Sequence, residues 1–279
     1  MPRILPFLLT VLMGWPTLTS ASDRLDIVVS IPPQQWLVEQ VGGEKVDVKV
    51  LVAPGESPTT YLPADAQVTH LMRAQIYFRI GVPFEKGLWF DAVSQMGRFE
   101  MVDLRDGIEW QGDDPHIWLN PRLLSIQAGT VAEALTQADP NNRAQYQANL
   151  RQLKSRLAIL DEEIRQSLAP FEGKSFFVFH PSWGYFAGEY GLQQIAIESG
   201  GREPSDQELT DLQEKARQAR ITTVFVQPQI QGRSAQAFAK AIGARIETLD
   251  PLAADVAENL ATTTAQLVRT FTKGTDSEP

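Results

Sequence analysis

Three side chains stand out as groups that could bind or react: His116, His180 and Asp250. His116 lies in Asp114-Pro115-His116-Ile117-Trp118-Leu119-Asn120-Pro121, behind the acidic pair Asp113-Asp114 and between two prolines. Proline fixes its own φ and pushes the residue before it away from helix, so His116 sits on a restricted loop that Ile117, Trp118 and Leu119 can anchor. His180 lies in Phe179-His180-Pro181-Ser182-Trp183, where a strand-like run passes straight into a histidine and a helix-starting proline. Asp250 repeats the pattern in Leu249-Asp250-Pro251-Leu252. Two neutral imidazoles and a carboxylate suit a borderline divalent ion, zinc first, with manganese or iron next. The plain alternatives are a strand-end histidine packed under Trp183 and an aspartate capping the last helix near Ala254. The third histidine, His70, falls inside a helical stretch and reads as a surface or locally satisfied side chain.

Other chemistry has little support. No glycine-rich phosphate loop follows a strand, and neither GxSxG nor HExxH occurs. Ser182 is close to His180 in sequence, but a nucleophile needs spatial proximity to its base. The tryptophans are scattered, which favours core packing over a sugar pocket.

The elements that would hold these residues can be read from periodicity. Apolar, β-branched runs at Leu25 to Ile31 and Val46 to Val52 read as strands, as do Ile76 to Ile80 and Glu100 to Leu104. Helices are expected between them, over Gln34 to Val41, Pro63 to about Arg73, and Phe84 to Gln95. The alternation predicts a parallel sheet covered by helices. From Pro121 to Leu168 the sequence is helix-compatible apart from Ala138-Asp139-Pro140. Its second half repeats apolar residues from Tyr146 to Leu168 on a three-or-four spacing. At roughly 1.5 Å per residue such a helix crosses about 40 Å, the width of a domain. Alternation then resumes, with strands at Ser175 to Phe179, Gln194 to Glu198, Thr222 to Val226 and Arg245 to Leu249. Helices are expected at Trp183 to Tyr190, from a cap at Ser205 or Asp206, with Glu208 placed for a capping box on Ser205, to about Ala219, at Ser234 to Ile242, and at about Ala254 to Phe271. The predicted fold is α/β: two lobes, each a mostly parallel four-stranded sheet with helices on both faces, joined by one long rigid connecting helix. The expected division is 1–21, a signal peptide; 22–120, an N-terminal lobe; 121–172, the helical segment; and 173–279, a C-terminal lobe with a polar tail.

Composition limits the partners. Arg3, the apolar run Ile4 to Leu18 and the small residues Thr19-Ser20-Ala21 read as a cleavable secretory signal. The net charge is −9 over 279 residues and becomes more negative once Arg3 is removed. Such a chain is a poor partner for nucleic acid or anionic membranes and a tolerant one for cations. It has no cysteine, hence no disulfide framework, no thiolate metal site and no thiol for a lipid anchor. An exported, unanchored, soluble protein of the periplasm is expected.

The stretches PGESPTTYLP, DPHIWLNP, FHPSWGYFAGEYGL, ESGGREPSDQEL, VFVQPQ and LDPL, together with the long helix, resemble the metal-binding solute-binding proteins of zinc/manganese ABC importers, the ZnuA/TroA-like group. The resemblance covers essentially all of the chain after the leader. It implies capture of Zn2+, or Mn2+ as the alternative, in a cleft between the lobes. Delivery to an ABC permease in the inner membrane follows, by a carrier that is a monomer and not an enzyme. Carried over residue by residue, it makes His116, His180 and Asp250 the metal ligands. Thr59 stands where the group commonly has a first-loop histidine, and Gln227 where many relatives have glutamate. Glu56 is then a candidate to swing in, with Thr59 and Gln227 as accessory cleft residues. The same departures leave room for a metal chelate or small organic solute as ligand. A three-ligand zinc hydrolase, with Glu56 as its only candidate base, is a more distant alternative.

Overall fold

A computed structural model describes residues 24–198, 201–202, 204–229 and 233–275; the expected leader at 1–21 and the last residues of the polar tail lie outside them. The chain begins with β1 (Leu25–Val29), α1 (Pro32–Gly42), β2 (Val46–Val50), α2 (Asp65–Leu71), β3 (Ile76–Arg79), α3 (Leu88–Met96) and β4 (Glu100–Asp103). Two long helices follow, α4 (Pro121–Ala138) and α5 (Arg143–Leu168), the latter 26 residues long. The second half comprises β5 (Ser175–Val178), α6 (Gly184–Glu189), β6 (Gln193–Ala196), α7 (Asp206–Gln218), β7 (Thr223–Val226), α8 (Arg233–Ile242), β8 (Arg245–Thr248) and α9 (Val256–Thr275).

Both sheets are four-stranded and parallel throughout, in the orders β2-β1-β3-β4 and β6-β5-β7-β8. The two lobes thus share one topology, as the alternation predicted. Parallel strands buried on both faces need continuous apolar sequence. Ile27, Val28 and Val29 of β1, and Phe176, Phe177 and Val178 of β5, are fully enclosed.

Local differences from the expected elements have simple causes. Pro32 and Pro33 do not merely stop β1; they occupy the first turn of α1, where a missing N–H costs nothing. The helix expected over Phe84 to Gln95 is split at Gly87 into a 3-10 turn (Pro83–Lys86) and α3. Pro63 precedes α2 by two residues instead of opening it. The Ser205–Glu208 capping box of α7 is present.

One core runs continuously from the first sheet through α4, α5 and α9 to one face of the second sheet. Leu124, Val131, Leu153, Leu157, Leu168 and Leu260 are among its buried members. A second cluster, centred on Phe177, Val224 and Phe238, sits on the other face of the second sheet under α7 and α8. The connecting helices therefore bury one face each, in α5 the face of Tyr146, Leu153, Leu157, Ile164 and Leu168. Trp118 and Trp183 are buried, whereas Trp110 is 40% exposed with the Arg105 guanidinium over its ring. His70 is satisfied locally, its Nε2 lying 3.1 Å from Asp26 Oδ1.

Candidate metal centre

The carboxyl ends of both sheets face one cleft of about 500 Å³. In parallel α/β sheets that edge is where ligands bind, because the loops converge there. Every strand exit except that of β1 contributes to its walls. Ser57 and Thr59 come from beyond β2, Pro83 and Lys86 from beyond β3, and His116 and Trp118 from beyond β4. The other lobe supplies His180, Gly201, Gln227 and Pro251 from beyond β5, β6, β7 and β8.

His116 is held where its loop turns into α4. A 3-10 turn over Ile117–Leu119 buries all three apolar residues, and Asn120 caps α4 by accepting from Arg122 N (2.9 Å) and Leu123 N (3.2 Å). The loop is tied to the far lobe as well. Trp118 Nε1 donates to the Pro251 carbonyl at 2.7 Å, and Gln111 N donates to Tyr185 Oη at 3.0 Å. His180 follows β5 directly, and Ser182 N donates back to its carbonyl at 2.8 Å.

The two imidazoles meet across the cleft, ring centroids 5.3 Å apart and planes 73° apart. Each has a carboxylate behind it. His116 Nδ1 is 2.6 Å from Asp114 Oδ1, which also accepts from His116 N at 2.9 Å. His180 Nδ1 pairs with Glu198 Oε1. A carboxylate only accepts, so each Nδ1 carries the hydrogen; in the neutral ring Nε2 is then the nitrogen with the lone pair. Burial lowers the pKa of His116, and the neighbouring His180 adds to that; Asp114 opposes the shift without cancelling it. The neutral ring is the form that ligates a metal. A carboxylate on the far nitrogen is the usual support for a metal-bound histidine, fixing tautomer and ring angle.

The remaining expected residues are placed unevenly. Thr59 and Gln227 line the cleft; Ser182 Oγ donates to Gln227 Oε1 at 3.4 Å. Glu56 is not among the lining residues, because its carboxylate accepts from Ala53 N at 3.0 Å and closes the Pro54-Gly55 turn. Asp250 stands one step behind the wall made by Pro251 and Leu252. Its Oδ1 accepts from Gln229 Nε2 (2.8 Å) and Leu252 N (3.0 Å). Among the described residues no group of three or more His, Cys, Asp or Glu side chains is assembled as a metal site. The sequence reading missed Asp114 and Glu198 as partners of the histidines. The signal for Glu198 was available: β5 and β6 pair with Ser175 opposite Gln193, so the same offset carries His180 to Glu198 just past both strand ends.

With this geometry in hand, comparison with known proteins is decisive. The family model described as ZnuA, zinc-uptake complex component A, periplasmic, matches residues 27–274. The chain belongs to the ZnuA family. A solved structure described as ZnuA superposes with a TM-score of 0.83 at 41% identity, covering 89% of this chain and 99% of that one. A ZnuA deletion mutant with zinc bound gives 0.84 at 42%, covering 89% and 98%. Among curated proteins, the high-affinity zinc uptake system protein ZnuA of Bacillus subtilis is 26% identical, over 84% of this chain and 80% of its own length. The manganese ABC transporter substrate-binding lipoprotein PsaA of Streptococcus pneumoniae is 28% identical, over 79% and 77%. The two-lobe fold with one long connecting helix is thus that of the ZnuA family.

Proposed function

We propose that this chain is the extracytoplasmic solute-binding component of an ABC importer for zinc, with manganese as the second candidate, and that it takes up the ion between His116 and His180. The observation that carries the reading is the facing pair of imidazoles, each with Nδ1 held by its own carboxylate and Nε2 left for a ligand. The names of similar proteins, zinc uptake protein and manganese substrate-binding lipoprotein, support the same choice of cargo. Asp250 joins as third ligand after exchanging Gln229 for the metal, and water or the Thr59 hydroxyl completes the shell. Three protein ligands and an exchangeable position suit an ion that must later be released. We read residues 22–120 and 173–279 as the two lobes and 121–172 as the helical link. The carrier works as a monomer outside the cytoplasm and hands its ion to an inner-membrane permease. We read it as a carrier; Glu56, the candidate base of a hydrolase, accepts from Ala53 N in its own turn and does not line the cleft.

The test is a metal titration of the chelator-stripped protein beside His116→Ala, His180→Ala and Asp250→Ala. One equivalent of zinc bound by the parent, lost in both histidine variants and weakened in Asp250→Ala, is expected. No saturable binding by the parent overturns the assignment.

A further inference from the structure

We propose that the C-terminal lobe carries a second ligand site, for a phosphate group, at the pole of its sheet opposite the metal cleft. A cavity of about 470 Å³ opens at the amino ends of β5 and β7, walled on one side by the end of α9. Its polar lining consists of Lys174, Ser175, Arg220, Thr222, Thr223 and Thr270. No aspartate or glutamate is among the lining residues, so on a chain of net charge −9 this is a local inversion of sign. The nearest acid in sequence, Glu172, packs its side chain toward Gly191 instead.

Two of the hydroxyls need explaining. Thr223 is 2% exposed and Thr270 8%, yet neither Oγ1 has a hydrogen-bond partner. A buried polar atom left alone is costly and calls for a cause. Helical threonines elsewhere on α9 solve this by bonding back one turn: Thr264 Oγ1 donates to Leu260 O and Thr272 Oγ1 to Val268 O, each at 2.8 Å. Thr270 leaves that option unused, and Thr223 faces it from the start of β7. Arg220 adds a third anomaly. It is the one non-glycine residue with positive φ (51°) among the described residues, at the end of α7 where glycine is the usual choice. Hydroxyl donors and two cationic side chains around a cavity with no acid among its described lining residues match the oxygens of an oxyanion and repel a metal ion. The volume exceeds that of inorganic phosphate and leaves room for a small organic phosphate ester.

The experiment is calorimetry and thermal melting of the mature protein with sodium phosphate and with glycerol 3-phosphate, against sodium chloride at equal ionic strength. Saturable millimolar or tighter binding at one equivalent, with a rise in melting temperature, is expected. The stronger of the two ligands tells whether the free ion or an ester is the occupant. Lys174→Gln, an exposed position, weakens binding about tenfold. Thr223→Val, alone and with Thr270→Val, leaves the melting temperature without phosphate unchanged or higher, because an unpaired hydroxyl is removed, and abolishes the phosphate-induced rise. Zinc titration is the same in all of them. The proposal is overturned if neither phosphate exceeds the chloride control, if the valine variants keep full binding, or if Thr223→Val destabilises the ligand-free protein.

Discussion

The carboxylates behind the two histidines offer the sharpest test of the metal centre. Asp114 Oδ1 accepts two hydrogen bonds from one residue, from the His116 amide and from its Nδ1. Asp114→Asn keeps an oxygen that can accept both but removes the negative charge that strengthens Nε2 as a donor to metal. Asp114→Ala removes orientation as well. Partners of this kind are worth about 10- to 100-fold in metal affinity, or about 1.4 to 2.7 kcal/mol. The expected order is therefore about tenfold weaker zinc binding for the asparagine and about 100-fold for the alanine. Glu198→Gln should cost at least as much as Asp114→Asn, since Glu198 serves the other imidazole and is the more buried of the two, its side chain 8% exposed against 18%. The double variant should depart from the product of the two, because the two imidazoles are in contact and would share one ion.

The assay is competition against a fluorescent zinc chelator, with circular dichroism to confirm folding. Asp113→Asn is the control. Asp113 also lines the cleft, but its side chain is fully exposed, and among the described residues its ionic partner is Lys86 at 3.9 Å. If Asp113→Asn costs as much affinity as Asp114→Asn, the effect is general cleft charge and the orienting role is refuted. Unchanged affinity in both Asp114→Asn and Glu198→Gln, with the histidine variants inactive, refutes it as well.

Three further outcomes follow from other hydrogen-bonded polar groups. Glu85 is 2% exposed and accepts from Ile80 N and Gly81 N, with Ser30 and Tyr77 hydroxyls on the same carboxylate. Glu85→Ala should lower stability by about 3 kcal/mol in urea unfolding, since it orphans two amides in the loop that carries Pro83 and Lys86. Trp118→Phe keeps an aromatic ring but is smaller than the buried indole and leaves the Pro251 carbonyl without its donor. A loss of about 1–3 kcal/mol is expected, together with weaker zinc binding, because the His116 loop loses its tie to the other lobe. Burial raises the pKa of Asp161, but hydrogen bonds from Arg122, Tyr190 and Arg165 outweigh it and hold the carboxyl below its ordinary value. The stability this gives is complete above the unfolded pKa of about 4 and is lost as pH falls through the lower native value. Asp161→Asn should thus cost about 1–2 kcal/mol at neutral pH, the arginines being partly exposed, and nothing in strong acid. A penalty constant with pH in thermal melts would contradict this.

Strand positions were legible in the sequence because parallel strands buried on both faces must be written as apolar, β-branched runs, and these were bounded by proline and glycine. Boundaries failed where proline has two roles: Pro32 and Pro33 end a strand and open a helix with the same fixed φ. The two imidazoles were legible as strand exits. Their meeting was not, because it depends on how the lobes are set against each other through α4 and α5, which no local pattern encodes. The carboxylates fall between these cases. Asp114 is two residues from His116, and Glu198 follows from strand register alone, so both were within reach of a reading that aligned the strands before choosing ligands. Asp250 was chosen by the same strand-exit rule, but the rule is blind to Gln229, which occupies its carboxylate from the neighbouring loop.

That exchange bears on how the ion is taken up. A wide hinge between the lobes would have to break the continuous core along α4, α5 and α9, the Trp118–Pro251 bond and the Gln111–Tyr185 bond together. The first of these alone involves side chains that are fully enclosed, so opening by that route exposes apolar surface at a cost no single ion-binding loop needs to meet. The loop carrying Asp250 is held by more local bonds, to Gln229, Leu252 and Asn259. Asp250 needs only to trade one neutral amide for a cation, and Thr59 faces Gly201 across the cleft, where a Cβ on the glycine would come no nearer than 4.0 Å to the threonine methyl. Capture by rearrangement of side chains and loops within a fixed frame is the cheaper motion. It predicts that zinc changes hydrogen exchange at the loops after β7 and β8 while leaving α5 untouched, and uniform protection of α5 on metal binding would argue for the hinge instead.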